Sequence, residues 1–346
     1  MDILRVGFVG LGAICRLRHI PGLRRLPDIE ICAVANRSRE SSERAAREFN
    51  VPRVYESWQE LVSSPDIDVV FVGTWPYLHK AVSIAALESG KHVFCQARMA
   101  MNGEEAGEMY KAAQRSGCVA ALCPVPIGLT VDATIRGLMQ SGWLGEVRYV
   151  QVQSLSGVFA DPATPMNWRK DRRFSGLNMH TFGMYVEVMH RWFGWTKSIS
   201  ATMDTFYESR VDEGGATHSV EVPDQILCTA RMEAGFPIQY AFSTVAHHGS
   251  DTVWIYGSRA TLRYDVSNDK LYGGLAGATL SEVRIQEADA YDLAQWRVEE
   301  DFVNAIRRGT EYHPNFLDGL KYMQVVQAAY DSAHARGEIE IPAISG

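Results

Sequence analysis

The sequence has no apolar run that approaches the roughly 20 residues needed to span a bilayer as a helix, so no membrane-spanning helix is predicted. It also has no block of lysine and arginine, and its 34 basic against 41 acidic side chains give a net charge of −7 with the histidines neutral. This balance argues against a nucleic-acid partner. The first residues, Met1 to Arg5, show no signal-peptide pattern, and we therefore expect a cytoplasmic protein without a membrane partner.

Cysteine is scarce and scattered along the chain. The cysteines lack the close spacing of zinc ligands, and no cluster of histidine, cysteine and carboxylate residues has metal-ligand spacing, so no metal site is predicted. Most cysteines stand inside apolar runs, which favours buried small hydrophobic residues in a reducing compartment. They are Cys15, Cys32, Cys95, Cys118, Cys123 and Cys228. Internal repeats and low-complexity tracts are also lacking, and the length of 346 residues predicts about two domains.

What the sequence does contain is a glycine loop near its start. The apolar residues of Leu4 to Val9 predict a buried strand, and Gly10 and Gly12 follow at the spacing that lets backbone approach a pyrophosphate. A helix is predicted to begin at Ala13 and Ile14, where unpaired N–H groups and the positive end of the helix dipole would face that phosphate. The third small position of the dinucleotide motif is Cys15, which is larger than glycine or alanine. A purely structural strand-to-helix turn is the alternative.

The second predicted strand, Ile29–Ala35, ends in a polar triplet. Where an NAD enzyme usually has an acidic residue for the ribose hydroxyls, this sequence has Asn36, Arg37 and Ser38. An amide, a guanidinium and a hydroxyl suit a 2′-phosphate, so NADP(H) is favoured, with NAD(H) possible. In the alternative interpretation Arg37 is a solvated residue of an ordinary turn.

Strand and helix patterns alternate as far as residue 123, which predicts a parallel, doubly wound Rossmann domain over residues 1–123. Beyond Pro124 the pattern changes to strands with polar and apolar alternation, joined by Gly-containing turns, and two long late helices. Residues 124–346 are therefore predicted to form an α+β domain with a mostly antiparallel open sheet. Its predicted strands are Glu146–Ser156, Gln225–Glu233, Pro237–Val245, Asp251–Tyr256 and Ala260–Asp265, and its predicted helices are Leu129–Gln140, Leu293–Arg308 and Phe316–Arg336.

Several motifs together resemble those of the glucose–fructose oxidoreductase and inositol dehydrogenase family, usually called Gfo/Idh/MocA. The resemblance extends over nearly the whole chain and rests on the Gly10 loop, Thr74 followed by His79, Gly90-Lys91-His92-Val93, Gly142-Trp143-Leu144-Gly145-Glu146-Val147, Trp168-Arg169 and Asp318-Gly319-Leu320. It implies a nicotinamide dinucleotide cofactor and a sugar, polyol or related substrate. It also implies cofactor contacts by Thr74, Trp75, His79, Gln96, Trp168 and Arg169.

The sequence departs from the family at its usual polar catalytic positions. Members carry Glu-Lys-Pro two residues after Gly-Lys-His-Val, and their lysine contacts the cofactor and the reacting hydroxyl. Here those positions read Gln96-Ala97-Arg98. Members also carry an aspartate and, four residues later, a histidine, where this chain has Thr181 and Tyr185 if Gly183 is the intervening glycine.

Hydride transfer at a carbinol carbon needs a group within hydrogen-bond reach that exchanges a proton with the oxygen, and alanine cannot do so. The remaining candidates are Tyr185 first, His180 second, then Arg98 and Arg169, with Thr181 beside them. The phase of a helix over 178–193 puts Thr181 and Tyr185 on one flank of its apolar stripe and His180 on the other. Tyr185 could instead be a half-buried aromatic residue, and His180 a capping or core histidine.

Other polar residues near these candidates have simpler interpretations. Glu187 and Arg191 are predicted to form an i,i+4 surface pair, and the side chains of His247 and His248 would point to opposite faces of a strand. Trp75 could wall the nicotinamide or simply pack in its loop.

The sequence thus predicts an NADP(H)-preferring oxidoreductase acting on a carbohydrate, polyol or keto-sugar. A redox-neutral isomerase, lyase or hydrolase with a retained dinucleotide, and a ligand sensor without chemistry, are the alternatives. The open sheet of the second domain should bury one face against another subunit, which predicts a homodimer or homotetramer.

Overall fold

A computed structural model describes residues 3–285 and 296–344 of the chain. The chain divides into two compact units, one formed by Met1–Pro124 with Leu293–Leu320 and the other by Val125–Asp292 with Lys321–Gly346. The division at Pro124 lies one residue from the position expected from the sequence. The assignment of all of 124–346 to the second domain differs from the structure, because the segment Leu293–Leu320 packs with the first unit.

The helices predicted over 129–140, 293–308 and 316–336 are present, and each ends within one residue of the predicted position. In chain order the helices are α1 (Ile20–Leu23, preceded by a π-helical turn at Cys15–His19), α2 (Arg39–Glu48), α3 (Trp58–Ser63), α4 (His79–Glu88), α5 (Gly103–Ser116), α6 (Asp132–Gln140), α7 (Arg172–Ser175), α8 (Phe182–Phe193), α9 (Val298–Arg308) and α10 (Phe316–Ala335). The first residues of the predicted helix Leu293–Arg308 lie outside the described residues.

The strands follow the same chain order. They are β1 (Leu4–Val9), β2 (Ile29–Ala35), β3 (Arg53–Val54), β4 (Val69–Val72), β5 (His92–Cys95), β6 (Ala120–Leu122), β7 (Val147–Leu155), β8 (Thr196–Asp204), β9 (Ser209–Val211), β10 (Thr217–Ser219), β11 (Gln225–Met232), β12 (Pro237–Ser243), β13 (Asp251–Gly257), β14 (Ala260–Asp265), β15 (Lys270–Leu275), β16 (Ser281–Glu282) and β17 (Ile339–Glu340).

The sheet of the first unit is parallel, in the order β3-β2-β1-β4-β5-β6. This is the doubly wound arrangement predicted from the sequence, with the strand order reversing between β1 and β4. Phe8 lies opposite Phe71, and Phe71 lies opposite Phe94, so three aromatic rings of adjacent central strands stack inside the core.

Helix α9 completes that core. The ring centroid of Phe302 lies 5.2 Å from that of Phe94 and 5.8 Å from that of Phe71, in edge-on contacts. Tyr312, which follows α9, also packs against Phe302. Burying a phenylalanine contributes about 1.5–3 kcal/mol, so these contacts explain why the late segment joins the first unit.

The sheet of the second unit has the order β16-β15-β14-β13-β7-β12-β11-β8-β17, and only β7 and β12 pair in parallel among its described strands. This confirms the predicted mostly antiparallel sheet. The strand β8 was missed because its sequence, Thr-Lys-Ser-Ile-Ser-Ala-Thr-Met-Asp, contains few apolar residues. It is recognisable only from its alternating burial.

One face of this second sheet packs against α8. The ring of Phe182 contacts Tyr240 and Phe242 edge-on, and the ring of Tyr185 contacts Phe242 in the same way. The opposite face carries polar and aromatic side chains that are half-buried or exposed. This packing brings the beginning of α8 over the ends of β7 and β13, where several polar side chains meet.

Candidate functional site

The glycine loop of the first unit has the geometry expected from its sequence. Gly10 has a φ of +78°, and a Cβ atom at this position would lie 2.6 Å from Cγ2 and 2.8 Å from the nitrogen of Thr74. Only glycine fits, both in conformation and in space. The side-chain oxygen of Asn36 accepts a 2.7 Å hydrogen bond from the N–H of Leu11, which ties the loop to the end of β2.

The imperfect third position of the motif is compensated on a neighbouring strand end. Cys15 is fully buried, and a Cβ atom on Gly73 would clash with its Sγ and with the carbonyl oxygen of Gly10. The close helix–strand approach that a third small residue usually permits is thus made possible by Gly73. Burial raises the pKa of the Cys15 thiol to about 12, so this cysteine is a packing residue rather than a nucleophile.

The loop borders a cavity of about 590 Å³ within the first unit. Its lining residues are Val9, Gly10, Leu11, Gly12, Arg16, Ala35, Asn36, Arg37, Ser41, Arg44, Glu56, Ser57, Trp58, Gly73, Thr74, Trp75, Tyr77 and Leu78. The Oγ1 atom of Thr74 is buried and has no hydrogen-bond partner among the described residues. A buried hydroxyl without a partner beside a glycine cradle fits a polar ligand such as a dinucleotide. Ala13 and Ile14 form the exposed first turn of the following helix and do not line the cavity.

The three residues of the polar triplet after β2 make different contacts. Asn36 has a structural role, because its side-chain amide also donates a 3.1 Å hydrogen bond to the carbonyl of Ser41. Ser38 caps α2 and accepts a 3.2 Å hydrogen bond from the N–H of Ser41. Arg37 lines the cavity, is exposed, and has no ion-pair partner within the described part of the chain. Arg44, two turns further on, also lines the cavity and was missed by the sequence analysis.

His79 holds the cavity wall instead of lining the cavity. The residue is buried, its Nε2 lies 2.9 Å from the carbonyl oxygen of Thr74, and its Nδ1 lies 3.0 and 3.1 Å from the carbonyl oxygens of Arg98 and Met99. Burial lowers its pKa, and the three carbonyl contacts oppose that shift. His79 thus bridges the segments that follow β4 and β5. Trp75 does line the cavity, with 38% of its surface exposed.

Gln96 is also a structural residue. Its side-chain amide bonds to Nε2 of His19, whose Nδ1 bonds to Glu299, and Trp296 donates a 2.8 Å hydrogen bond to the same carboxylate. This buried network joins α9 to the helix after the glycine loop. The family's lysine position is occupied by the methyl group of Ala97. Arg98, the neighbouring cation, is 9% exposed.

In the second unit, Trp168 and Arg169 lie on a connecting segment before α7. The guanidinium of Arg169 stacks on the Trp168 ring at 4.4 Å from its centroid. The adjacent Lys170 anchors this segment, because its buried Nζ lies 2.6 Å from the carboxylate of the fully buried Asp224. Burial lowers the pKa of Lys170 and the Asp224 charge opposes the shift.

Helix α8 begins at Phe182, with Thr181 as its N-cap residue, and not at residue 178. The residues before it form a tight turn in which His180 has a φ of +41°. The flanks inferred for a longer helix are therefore wrong for His180, which does not share the phase of α8. A positive φ at a residue with a Cβ is unfavourable and persists only where surrounding contacts hold it.

The structure brings three of the predicted catalytic residues into one chain of hydrogen bonds. Nδ1 of His180 lies 3.2 Å from Oγ1 of Thr181, which lies 3.1 Å from Oγ of Ser154. Ser154 donates a 3.0 Å hydrogen bond to Oδ2 of Asp251, and the Tyr185 hydroxyl donates a 2.8 Å hydrogen bond to the same oxygen. Ser154 and Asp251 were missed, although both stand in strands predicted from the sequence.

The surroundings of Tyr185 argue against a direct exchange of protons with a ligand. The side chain is fully buried, and burial together with the Asp251 charge raises the pKa of its hydroxyl far above the usual range. Tyr185 therefore serves to orient Asp251. His180 and Thr181 are half-buried and lie at the other end of the chain of hydrogen bonds.

Two other sequence interpretations are corrected in this unit. Glu187 is buried and its carboxylate lies 3.9 Å from Arg191, whose side chain is only 16% exposed, so the two do not form a surface pair. His247 and His248 lie in the turn between β12 and β13 instead of on a strand, and His248 has a φ of +57°.

No group of three or more histidine, cysteine, aspartate or glutamate side chains in 3–285 and 296–344 could hold a metal ion. Over the same residues, none of the helices combines the length and hydropathy needed to cross a membrane.

Comparison with known proteins adds independent evidence. The model of an oxidoreductase family with an NAD-binding Rossmann fold, GFO_IDH_MocA, matches residues 4–122, and the model of the GFO/IDH/MocA C-terminal domain matches residues 133–263. Levoglucosan dehydrogenase of Pseudarthrobacter phenanthrenivorans is 24% identical over 357 aligned residues, covering 92% of this chain and 91% of the relative. The 1,5-anhydro-D-fructose reductase of Ensifer adhaerens is 30% identical over half of each chain. The solved apo form of levoglucosan dehydrogenase is similar with a TM-score of 0.91, at 24% identity, over 100% of both chains.

Proposed function

Because the chain belongs to the Gfo/Idh/MocA family of oxidoreductases, we propose that it is a nicotinamide-dependent dehydrogenase or reductase acting on a CH–OH group of a sugar, polyol or keto-sugar. The two family models confirm the resemblance drawn from the sequence motifs. Relatives named levoglucosan dehydrogenase and 1,5-anhydro-D-fructose reductase support the carbohydrate class of substrate.

The observation that carries this proposal is the cavity beside the glycine loop. Gly10 and Gly12 leave room for a pyrophosphate at one end of the cavity. The buried Thr74 hydroxyl can form a hydrogen bond with that pyrophosphate or with the nicotinamide part of the cofactor. When bound there, the nicotinamide supplies the hydride acceptor or donor of the reaction. A non-catalytic sensor would need only the residues that bind the ligand. The hydrogen-bonded hydroxyls that begin at His180 would then have no function.

We further propose that the cofactor is NADP(H). Arg37 and Arg44 both line the end of the cavity next to β2, and no acidic residue replaces them at the end of that strand. A charge-assisted contact with a 2′-phosphate contributes about 1.5–3 kcal/mol, which corresponds to about tenfold or more in affinity.

Calorimetric titration with NADPH and NADH tests the cofactor assignment. The wild type should bind NADPH about tenfold tighter or more, and Arg37→Asp should abolish or reverse the difference. Arg47→Asp, which changes the same charge on an exposed residue of α2 that does not line the cavity, should keep the wild-type ratio. Equal affinities of the wild type for the two cofactors would contradict the assignment.

For the proton transfer we propose the segment from His180 to Tyr185, with His180 as the residue that meets the substrate. A screen of sugars, polyols, sugar acids and their keto forms tests the reaction class. Multiple turnovers with a change in the absorbance of reduced nicotinamide support the oxidoreductase. Conversion without such a change would identify the redox-neutral alternative, and binding without conversion the sensor.

We propose that the chain forms a homodimer or homotetramer through the outer face of its second sheet. Tyr149, Tyr256 and Trp254 stack side by side on that face, with ring centroids 5.6 and 5.8 Å apart. Arg263 lies over Trp254, and Leu227 on the same sheet is 45% exposed. Such a row of flat aromatic surfaces is typical of protein interfaces.

A further inference from the structure

We propose that Asp251, acting through the hydroxyls of Ser154 and Thr181, fixes the tautomer of His180 and thereby makes its Nε2 the atom that exchanges the proton with the substrate. Asp251 and Ser154 are positioning residues in this scheme, and His180 is the catalytic residue. The inference deepens the proposed function and depends on it for the reaction, whereas the tautomer itself is a property of the protein alone.

The donor and acceptor of each hydrogen bond in this series follow from the Asp251 carboxylate at its end. An ionised carboxylate can only accept, so Ser154 must donate its single hydroxyl hydrogen to Asp251. Ser154 can then bond to Thr181 only by accepting, which uses the hydrogen of the Thr181 hydroxyl. Thr181 in turn must accept from Nδ1 of His180.

A neutral imidazole has one N–H group and one nitrogen with a lone pair. If Nδ1 carries the hydrogen, Nε2 carries the lone pair and is the nitrogen that can take a proton. The chain of two hydroxyls therefore selects one tautomer of His180 from a distance, as a carboxylate bonded directly to a histidine does in hydrolase triads.

The chain of hydrogen bonds is anchored in the second sheet. Asp251 is the first residue of β13 and lies directly opposite Ser154 of β7 in the antiparallel register. The buried Tyr185 hydroxyl donates to the oxygen of Asp251 that also accepts from Ser154. This second donor holds the carboxylate in place.

The other end of the chain is held by the turn before α8. The N–H of Met179 donates to the carbonyl of Leu177 at 2.8 Å, and the N–H of Phe182 donates to that of Met179 at 3.0 Å. These bonds keep His180 at its positive φ with Nδ1 toward Thr181. Strain of this kind is commonly retained at functional positions.

The proton and electron balance of the step is closed. In the oxidative direction the carbinol C–H bond breaks and its electron pair leaves with the hydrogen as hydride to the nicotinamide, while the O–H bond breaks and its proton goes to Nε2 of His180. A carbonyl, a reduced nicotinamide and an imidazolium result. The imidazolium is stabilised by the Asp251 carboxylate through the two hydroxyls, and release of the proton to water completes the cycle.

The tautomer can be measured without substrate or cofactor, by nitrogen NMR of histidine-labelled protein at a pH where His180 is neutral. The resonances of His180 are those missing from the spectrum of His180→Gln. We expect the wild type to show hydrogen on Nδ1. Asp251→Asn, Ser154→Ala and Thr181→Val should each move the population toward hydrogen on Nε2. Thr252→Val makes the same chemical change one residue from Asp251 and should leave the wild-type pattern.

A wild type with hydrogen on Nε2 would overturn the inference, and so would an unchanged pattern in all three variants of the chain. The use of three variants guards against one that fails to fold. Turnover, once a substrate is found, adds a second readout: kcat of Thr181→Val should fall by about 10²-fold with KM nearly unchanged, and that of Thr252→Val should not. Failure of the substrate screen would contradict the proposed function and leave the tautomer result standing.

Discussion

A Cβ atom on Gly73 would overlap the Sγ atom of Cys15. The two residues bring the end of β4 and the helix after the glycine loop into direct contact, and Gly73 also packs on the carbonyl oxygen of Gly10. Gly73, at the end of the neighbouring strand, thus provides the space that a small residue at position 15 would provide in the usual dinucleotide motif. The pair gives a direct test of how closely the cofactor loop depends on its packing.

Gly73→Ala should therefore destabilise the first unit and weaken dinucleotide binding. Overpacking of a close contact costs about 1–3 kcal/mol, and backbone movement at Gly10 would shift the loop that borders the cavity. Gly107→Ala is the matched control, because nothing lies within 4 Å of an added Cβ in the middle of α5. That variant should be neutral or up to about 1 kcal/mol more stable. Thermal unfolding and calorimetric titration with NADPH measure both effects, and equal behaviour of the two variants would contradict the packing argument.

Acid should destabilise the second unit through His190. Burial lowers its pKa to about 3, and the unfolded chain has a value of about 6.5. The unfolded state therefore takes up a proton first as the pH falls, and the stability present above pH ~6.5 is lost progressively toward pH ~3. Between pH 7 and pH 5 this one residue should lower the free energy of unfolding by about 2 kcal/mol.

Urea unfolding of the wild type and of His190→Gln at both pH values checks this prediction. Glutamine can still bond to the hydroxyl of Thr196, which lies 2.9 Å from Nε2 of His190, but does not titrate. The variant should show a flatter dependence on pH than the wild type. Parallel curves would show that the pKa of His190 does not differ between the folded and the unfolded protein.

Breaking the buried ion pair of Lys170 should be far more costly than breaking an exposed one. Lys170→Met leaves the carboxylate of the fully buried Asp224 without its cation, at a cost of about 3–5 kcal/mol. Lys270→Met removes an equivalent pair with Glu282 whose side chains are 47% and 57% exposed, and should cost less than about 1 kcal/mol. Denaturant midpoints of the two variants decide this, and similar losses would be inconsistent with the buried pair as an anchor.

A charge on the outer face of the second sheet should separate the subunits. Trp254→Glu puts a carboxylate in the aromatic row and should shift the protein to monomers in light scattering. Val211→Glu, on β9 of the separate two-stranded sheet, is 50% exposed in the wild type and serves as the control. A wild type that is itself monomeric, or a Trp254→Glu variant that stays associated, would exclude this face as the interface.

The parts of the structure that depend on local sequence could be predicted. The φ of Gly10, the start of α5 after the cap residue Asn102 and the alternation of β11 follow from neighbouring residues alone. The site in the second unit depends instead on contacts between distant residues. Ser154 and Asp251 are 97 residues apart, and only strand register brings them together. The turn at His180 was missed because the apolar periodicity of residues 178–193 favours a helix from residue 178, whereas backbone hydrogen bonds before Phe182 form a tight turn instead.

The return of the chain to the first unit determines the order in which the protein can form. Phe302 and Tyr312 supply part of the aromatic core that covers Phe71 and Phe94, and all of the second unit up to Asp292 is synthesised before them. During translation, one side of the core of the nucleotide-binding sheet therefore stays uncovered until the second unit and then α9 have been synthesised. A fragment cut after Pro124 would be permanently arrested in this state, with the face that α9 covers exposed to water and prone to aggregation.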